Sequence, residues 1–220
     1  MEAVYARLIA AYRSGEVSFS RSRSFNLDEY VGLSPDHPRS YWHYMREQLF
    51  EHVDFPDGAT HLPHGDADDP RAEAEAYEHA IAQAGGVGLQ LLGLGANGHI
   101  GFNEPTSSLA SRTRIKTLTR STRDANARYF ETPEQVPRKA ITMGIGTILD
   151  ADEVVLLAYG AGKAKAAAAM IEGPLSAFCP ASALQMHRKA TIVLDRAAAA
   201  DLKLRDYYND VHPDGHEDVY

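Results

Sequence analysis

Cysteine is almost absent. Cys179 is the only one in 220 residues, which excludes a disulfide framework within the chain and suits a reducing compartment. Positive charge is also scarce: 22 lysines and arginines stand against 30 aspartates and glutamates, a net charge of −8. A broad nucleic-acid-binding face is therefore not expected. No apolar run approaches the roughly 18 residues of a membrane span, and the start EAVYARLIAAYRSGE lacks a cationic segment before a continuous apolar stretch. These absences exclude a membrane span and a secretory signal, and they point to a cytoplasmic protein. Internal repeats are missing too, and the alanine runs at 166–169 and 197–200 read as ordinary helix filling.

What is present is alternation. Short apolar runs predict strands at Ser22–Leu27, Gly88–Leu94, Arg114–Leu118, Glu153–Tyr159 and Thr191–Leu194. Helical patterns cover Glu2–Ser14, Ser40–His52, Pro70–Ala84, Thr122–Phe130, Lys163–Glu172 and Arg196–Asp206. That order predicts an α/β fold, an open and mostly parallel Rossmann-like sheet flanked by helices. Residues 1–209 read as one domain and 210–220 as a frayed tail. The chain opens on an amphipathic helix where such folds commonly open on a buried strand, so a first strand is expected to be missing.

The segment GLGANGHIGFNEP, Gly93 to Pro105, follows one of the predicted strands and contains a literal G-x-G-x-x-G. A dinucleotide turn should run straight into a helix that holds the pyrophosphate. Here Gly101 and Pro105 occupy the place of that helix. The acidic residue expected about twenty positions on is replaced by Thr119 and Arg120; only an NADP-type use of Arg120 survives. The loop instead offers Asn97, His99 and Glu104, a histidine to pass protons and a carboxylate to fix its tautomer. A second carboxylate, Asp28 in FNLDEYVGL, could project from a strand end. Asp28 is equally readable as a cap or turn residue, and His99 as a histidine bonded into its loop.

Anion recognition has its own candidates. YGAGKAKA places Lys163 after two glycines at a helix start, where free N–H groups, the dipole and an ammonium converge. Arg128 on the next helix upstream could clamp a phosphate in bidentate fashion, or it could be a solvated surface arginine. HLPHGDADD (His61, His64, Asp66, Asp68, Asp69) has loose ligand spacing and reads as a polar loop without a metal. The residues by themselves thus point to proton transfer on a small anionic substrate, a phosphate ester, without a cofactor.

FNLDEYVGL, GLGANGHIGFNEP, SRTRIKTLTRSTRDANARYF and PASALQMH together closely resemble the glucosamine-6-phosphate deaminase family over about Met1 to Tyr208. The resemblance implies conversion of glucosamine 6-phosphate and water into fructose 6-phosphate and ammonium, with no metal or organic cofactor. It implies Asp28 as the enolisation base, His99 as the ring-opening group, and Glu104 with Asn97 as the groups that hold the imidazole. Many family members carry aspartate at the position of Asn97, and an amide there should lower the histidine pKa. Arg128 and Lys163 match the family's phosphate ligands. Ser107, Arg114, Lys116 and Tyr207 match positions that bind N-acetylglucosamine 6-phosphate between subunits of a hexamer in allosterically activated members; Arg114 and Lys116 are equally readable as the solvated face of an edge strand. The family's N-terminal strand and phosphate loop have no counterpart in this sequence, which leaves half of the phosphate site unaccounted for. Two rival readings stay open: another sugar-phosphate isomerase or lactonase of the same fold, and a non-catalytic fragment that binds sugar phosphate.

Overall fold

The computed structural model describes residues 1–211; the tail expected from residue 210 therefore lies almost wholly outside the described residues. The predicted α/β architecture is present, with its strands divided among three sheets. One is a parallel sheet in the order β4 (Leu89–Gly93), β7 (Glu153–Ala158), β8 (Ala190–Leu194). Its register runs from Leu89 opposite Glu153 to Gly93 opposite Leu157, and on to Ala158 opposite Leu194. Leu92, Val154 and Leu156 are wholly buried in it. They pack with Ile81 of α3 (Pro70–Gln83), Ile148 of α5 (Ile145–Leu149) and Met170 of α6 (Ala164–Ile171) to form the main core. Apolar burial of this kind is the main force holding such layers together.

A second parallel pair, β1 (Ser24–Phe25) with β3 (Thr60–His61), is not hydrogen-bonded to the first sheet. The third sheet is antiparallel, in the order β2 (Asp28–Tyr30), β6 (Lys139–Thr142), β5 (Arg114–Thr117). One row across it joins Asp28, Thr142 and Arg114, which stand directly opposite one another.

Local chemistry explains most element boundaries. Ser40 accepts from His43 N and so starts α2 (Tyr41–Gln48). Asp69, with Pro70 behind it, caps α3. Thr119 accepts from Thr122 N and starts α4 (Arg120–Asn126) two residues earlier than predicted. Side-chain acceptors at these positions satisfy N–H groups that a helix start leaves free.

Three expectations are corrected. The strand predicted at Ser22–Leu27 shrinks to β1, and the chain re-enters a different sheet at Asp28. The Arg114 strand is antiparallel and belongs to that different sheet. The helix predicted at Arg196–Asp206 does not form. Asp195 draws in Ala198 N, but Glu172 then takes Lys203 N and Leu204 N, so the alanines remain a turn and α7 begins only at Arg205 (Arg205–Val211). Strands β3 and β6 were unforeseen.

Candidate active site

The Gly93–Pro105 segment leaves the carboxyl end of β4 and curls back on itself. Gly95 N donates to His99 O at 2.9 Å, Gly98 N donates to Gly95 O at 3.0 Å, and Ile100 bridges to Asn103. No helix follows, so the dinucleotide geometry is absent. The glycines serve the histidine instead. A Cβ on Gly95 would stand 2.4 Å from the His99 ring atoms, so only glycine lets the imidazole lie against the backbone.

His99 does not meet Glu104 directly. His99 Nδ1 lies 2.6 Å from Asn97 Oδ1, and Asn97 Nδ2 donates to Glu104 Oε2 at 2.8 Å, while His99 Nδ1 and Glu104 Oε2 are 3.8 Å apart. A carboxylate only accepts, so the amide must present its NH2 to Glu104 and its oxygen to the imidazole. The proton of His99 then sits on Nδ1, and Nε2 keeps a free lone pair. Burial lowers the His99 pKa; the Glu104 charge opposes this and the Lys163 charge reinforces it. Glu104 is 4% exposed. Burial pushes its pKa up, but hydrogen bonds from Thr122, Asn97 and Thr119 and the His99 charge outweigh that and hold it below the usual range.

Asp28 opens β2 beside this loop. A Cβ on Gly101, whose φ is +55°, would lie 3.4 Å from Asp28 Oδ2 and 3.0 Å from Thr142 Oγ1. The same Thr142 hydroxyl accepts from Phe102 N at 3.1 Å, which ties the histidine loop to the sheet that carries Asp28. Desolvation, then the charge of Glu29, pushes the Asp28 pKa up to about 7, against a hydrogen bond from Thr142. Glu29 itself is buried and accepts from Tyr30 N, Tyr41 N and Trp42 N. It fastens the start of α2 behind Asp28, a function the sequence did not reveal.

Lys163 closes a one-turn 3-10 segment, Ala161–Lys163, at the carboxyl end of β7, just before α6. Burial and then the positive charge of Arg128 lower its pKa. Arg128, in the 3-10 turn Ala127–Tyr129 that continues α4, donates to Tyr129 Oη at 2.7 Å. Two cations close enough to feel each other, with one of them also felt by His99, form a field suited to a dianion.

The structure thus gathers Asp28, Asn97, His99, Glu104, Lys163 and Arg128 at one end of the strands. Of the proposed effector residues, Arg114 and Lys116 lie together on β5, and Lys116 feels the Arg114 charge. Ser107 is buried with an unpartnered hydroxyl. Tyr207 stands exposed on α7, and among the described residues no hydrogen bond joins it to the other three. In the 61–69 stretch, His61 stacks on Phe25 and Asp69 caps α3. Arg120 is exposed and faces Asp124 at 3.9 Å. A cavity of about 380 Å³ between Ser20–Arg23 and Pro56–Ala59 lies at the opposite, amino end of β1 and β3.

Sequence reasoning missed Thr119 and Thr122, whose hydroxyls both reach Glu104 Oε1. The T-x-x-T spacing at a helix start was the available signal, read only as part of the resemblance.

Known proteins resemble this chain in sequence and fold. The family described as glucosamine-6-phosphate isomerases/6-phosphogluconolactonase matches residues 1–193. A glucosamine-6-phosphate deaminase of Hahella chejuensis is 59% identical over 206 residues, 94% of this chain and 78% of that protein. One from Cellvibrio japonicus is 57% identical over 209 residues, 95% of this chain and 80% of that protein. A solved structure described as a monomeric glucosamine-6-phosphate deaminase superposes with a TM-score of 0.89 at 46% identity, covering 91% of this chain and 83% of its own. The 6-phosphogluconolactonase of Trypanosoma cruzi, at 21% identity and a TM-score of 0.68 over 92% of this chain and 80% of its own, shares the fold.

Proposed function

The chain belongs to the glucosamine-6-phosphate isomerase/6-phosphogluconolactonase family, and from that premise we propose that it converts glucosamine 6-phosphate and water into fructose 6-phosphate and ammonium. The observation that carries this is the pairing of a His99–Asn97–Glu104 relay with a separate carboxylate, Asp28, across Gly101. A lactone hydrolysis needs only one proton-transfer group beside the carbonyl. Ring opening followed by isomerisation needs two, with different tasks.

In this reading the substrate phosphate sits between Lys163 and Arg128. His99 Nε2, left unprotonated by the relay, takes the C1 hydroxyl proton and returns a proton to the ring oxygen as the pyranose opens. Asp28 then removes the C2 proton while the C1 oxygen gains one, giving an enolamine, and delivers its proton to C1 while the amine gives one up, which moves the carbonyl level to C2 as an imine. Water adds at C2 and ammonia leaves, taking up a proton to become ammonium. A pKa near 7 suits Asp28 to this task, because a base is most effective when its pKa lies near the working pH. No step requires a metal or an organic cofactor, and a phosphorylated sugar is a substrate of the cytoplasm.

Effector binding is a second element of the proposal. Arg114 and Lys116 share one face of β5 and could receive the phosphate of N-acetylglucosamine 6-phosphate. The solved relative described as monomeric makes assembly the deciding measurement, since an inter-subunit effector site requires a hexamer or another oligomer. Light scattering on the purified chain reads this directly.

The test of the catalytic reading measures ammonium and fructose 6-phosphate together. Stoichiometric release of both from glucosamine 6-phosphate, with no hydrolysis of 6-phosphogluconolactone, is the expected result. Lactone hydrolysis without ammonium would overturn it, and binding of sugar phosphate without turnover would favour a non-catalytic role.

A further inference from the structure

Glu104 has two carboxylate oxygens, and the structure gives each a separate task. Oε2 accepts from Asn97 Nδ2. Oε1 accepts from the hydroxyls of Thr119, at 3.0 Å, and Thr122. Both threonines belong to the start of α4, fifteen and eighteen residues further along the chain. Thr122 is itself buried, and Thr119 is the N-cap of the helix. The Thr119 hydroxyl also caps the helix, accepting from Thr122 N; beyond that, the two hydroxyls share one partner, the carboxylate behind the histidine.

We propose that Thr119 and Thr122 are positioning residues for proton transfer at His99, which set its tautomer through Glu104 and Asn97. This rests on the reading of His99 as the ring-opening group. The reasoning follows from donor and acceptor counts. While Glu104 is ionised it can only accept, so Asn97 must turn its NH2 toward it and its oxygen toward His99 Nδ1. Once Glu104 is protonated it becomes a donor, and the amide can reverse. Asn97 Nδ2 would then face His99 Nδ1, the imidazole proton would move to Nε2, and the lone pair aimed at the sugar would vanish. An aspartate at position 97 could not transmit the signal in this way, because a carboxylate has no NH2 to exchange with its oxygen. The amide makes the histidine tautomer answer to the charge of Glu104, and the two hydroxyls hold that charge. The same helical segment carries Arg128 four residues beyond Asp124, so the element that binds phosphate is also the element that sets the histidine.

Thr122→Val keeps the shape and removes the hydroxyl; Thr122→Ser keeps the hydroxyl. Loss of an outer hydrogen bond of this kind typically costs about 10–100-fold in activity, and we expect that loss in kcat for Thr122→Val with KM little changed and Thr122→Ser close to wild type. Glu104 with fewer donors takes up a proton at higher pH. Nitrogen-15 NMR of the His99 ring, followed as pH is lowered, should show the Nδ1–H form giving way to an Nε2–H fraction at higher pH in Thr122→Val than in wild type. Unchanged kcat and tautomer in Thr122→Val would overturn the proposal. So would an equal loss in Thr122→Ser, or a loss with the pH of the tautomer exchange unmoved, since packing alone predicts those results. If wild type releases no ammonium, the deaminase reading fails, yet the tautomer comparison still decides the positioning role.

Discussion

Asp28→Asn separates the two consequences of placing a carboxylate where water reaches it poorly. Its pKa is raised from 3.8 to about 7, chiefly by desolvation and then by Glu29. A raised carboxyl pKa means that the folded state holds the proton more tightly than the unfolded chain. Stability therefore falls as pH rises from about 4 to about 7 and is constant above that. A shift of about three units is worth at most roughly 4 kcal/mol. Asp28 keeps part of its surface in solvent, which reduces the cost of the charge to about 2 kcal/mol. The asparagine amide retains the shape and can still accept from Thr142, so the substitution removes the charge and little else. For a chain of this size about 2 kcal/mol corresponds to a rise of roughly 4–8 °C in Tm. The expected pattern is a Tm difference near zero at pH 4 that grows to its full value by pH 8, read by scanning calorimetry across pH. Over the same range ammonium release should fall by about 10²–10⁴-fold, while phosphate-ligand binding persists. A Tm difference that is flat with pH, or an Asp28→Asn variant less stable at pH 8, would refute the desolvated-base argument. Equal loss of binding and turnover would make Asp28 structural.

The remaining predictions concern the facing groups. His99→Gln should slow reaction of the ring-closed sugar far more than that of an open-chain analogue, in parallel stopped assays; equal effects would remove ring opening from its role. Gly95 lies outside the left-handed region, so Gly95→Ala adds no backbone strain. Its new methyl must displace the His99 ring, and a misplacement of about 1 Å costs on the order of 10²-fold in kcat, with Tm little changed. Lys163→Met should raise KM about 10–100-fold through loss of a charged phosphate contact. It should also let the His99 pKa rise, read by NMR titration of the ring, because the Lys163 cation no longer disfavours the imidazolium.

The histidine loop was legible in the sequence because its information is local. Gly101 and Pro105 forbid the helix that a dinucleotide turn requires, and His99 with Glu104 announces proton chemistry within twelve residues of Gly93. The strands β4, β7 and β8 were legible because they are apolar runs. The antiparallel sheet was not. β2 is three residues long and two of them are Asp28 and Glu29, so no apolar pattern marks it; Glu29 is buried only because three backbone N–H groups from other positions converge on it. The Thr119 and Thr122 contacts to Glu104 were hidden for the same reason, since separation along the chain carries no sign of who meets whom. The alanine segment after Asp195 misled in the opposite direction: its helix propensity is high, but Glu172 claims the N–H groups beyond it.

The row Arg114–Thr142–Asp28 gives the antiparallel sheet a mechanical meaning. Neighbouring strands stand about 4.8 Å apart, so the outer strand β5 lies only about 10 Å from the backbone of Asp28. Between them Thr142 also grips Phe102. The sheet is a short lever whose fulcrum is a single threonine. A load on the free edge of β5, whether from a crystal neighbour, an immobilising tag or a surface to which the protein is adsorbed, bears on Asp28 and the histidine loop together. For anyone tethering this protein to a sensor or support, β5 is the edge to leave untouched.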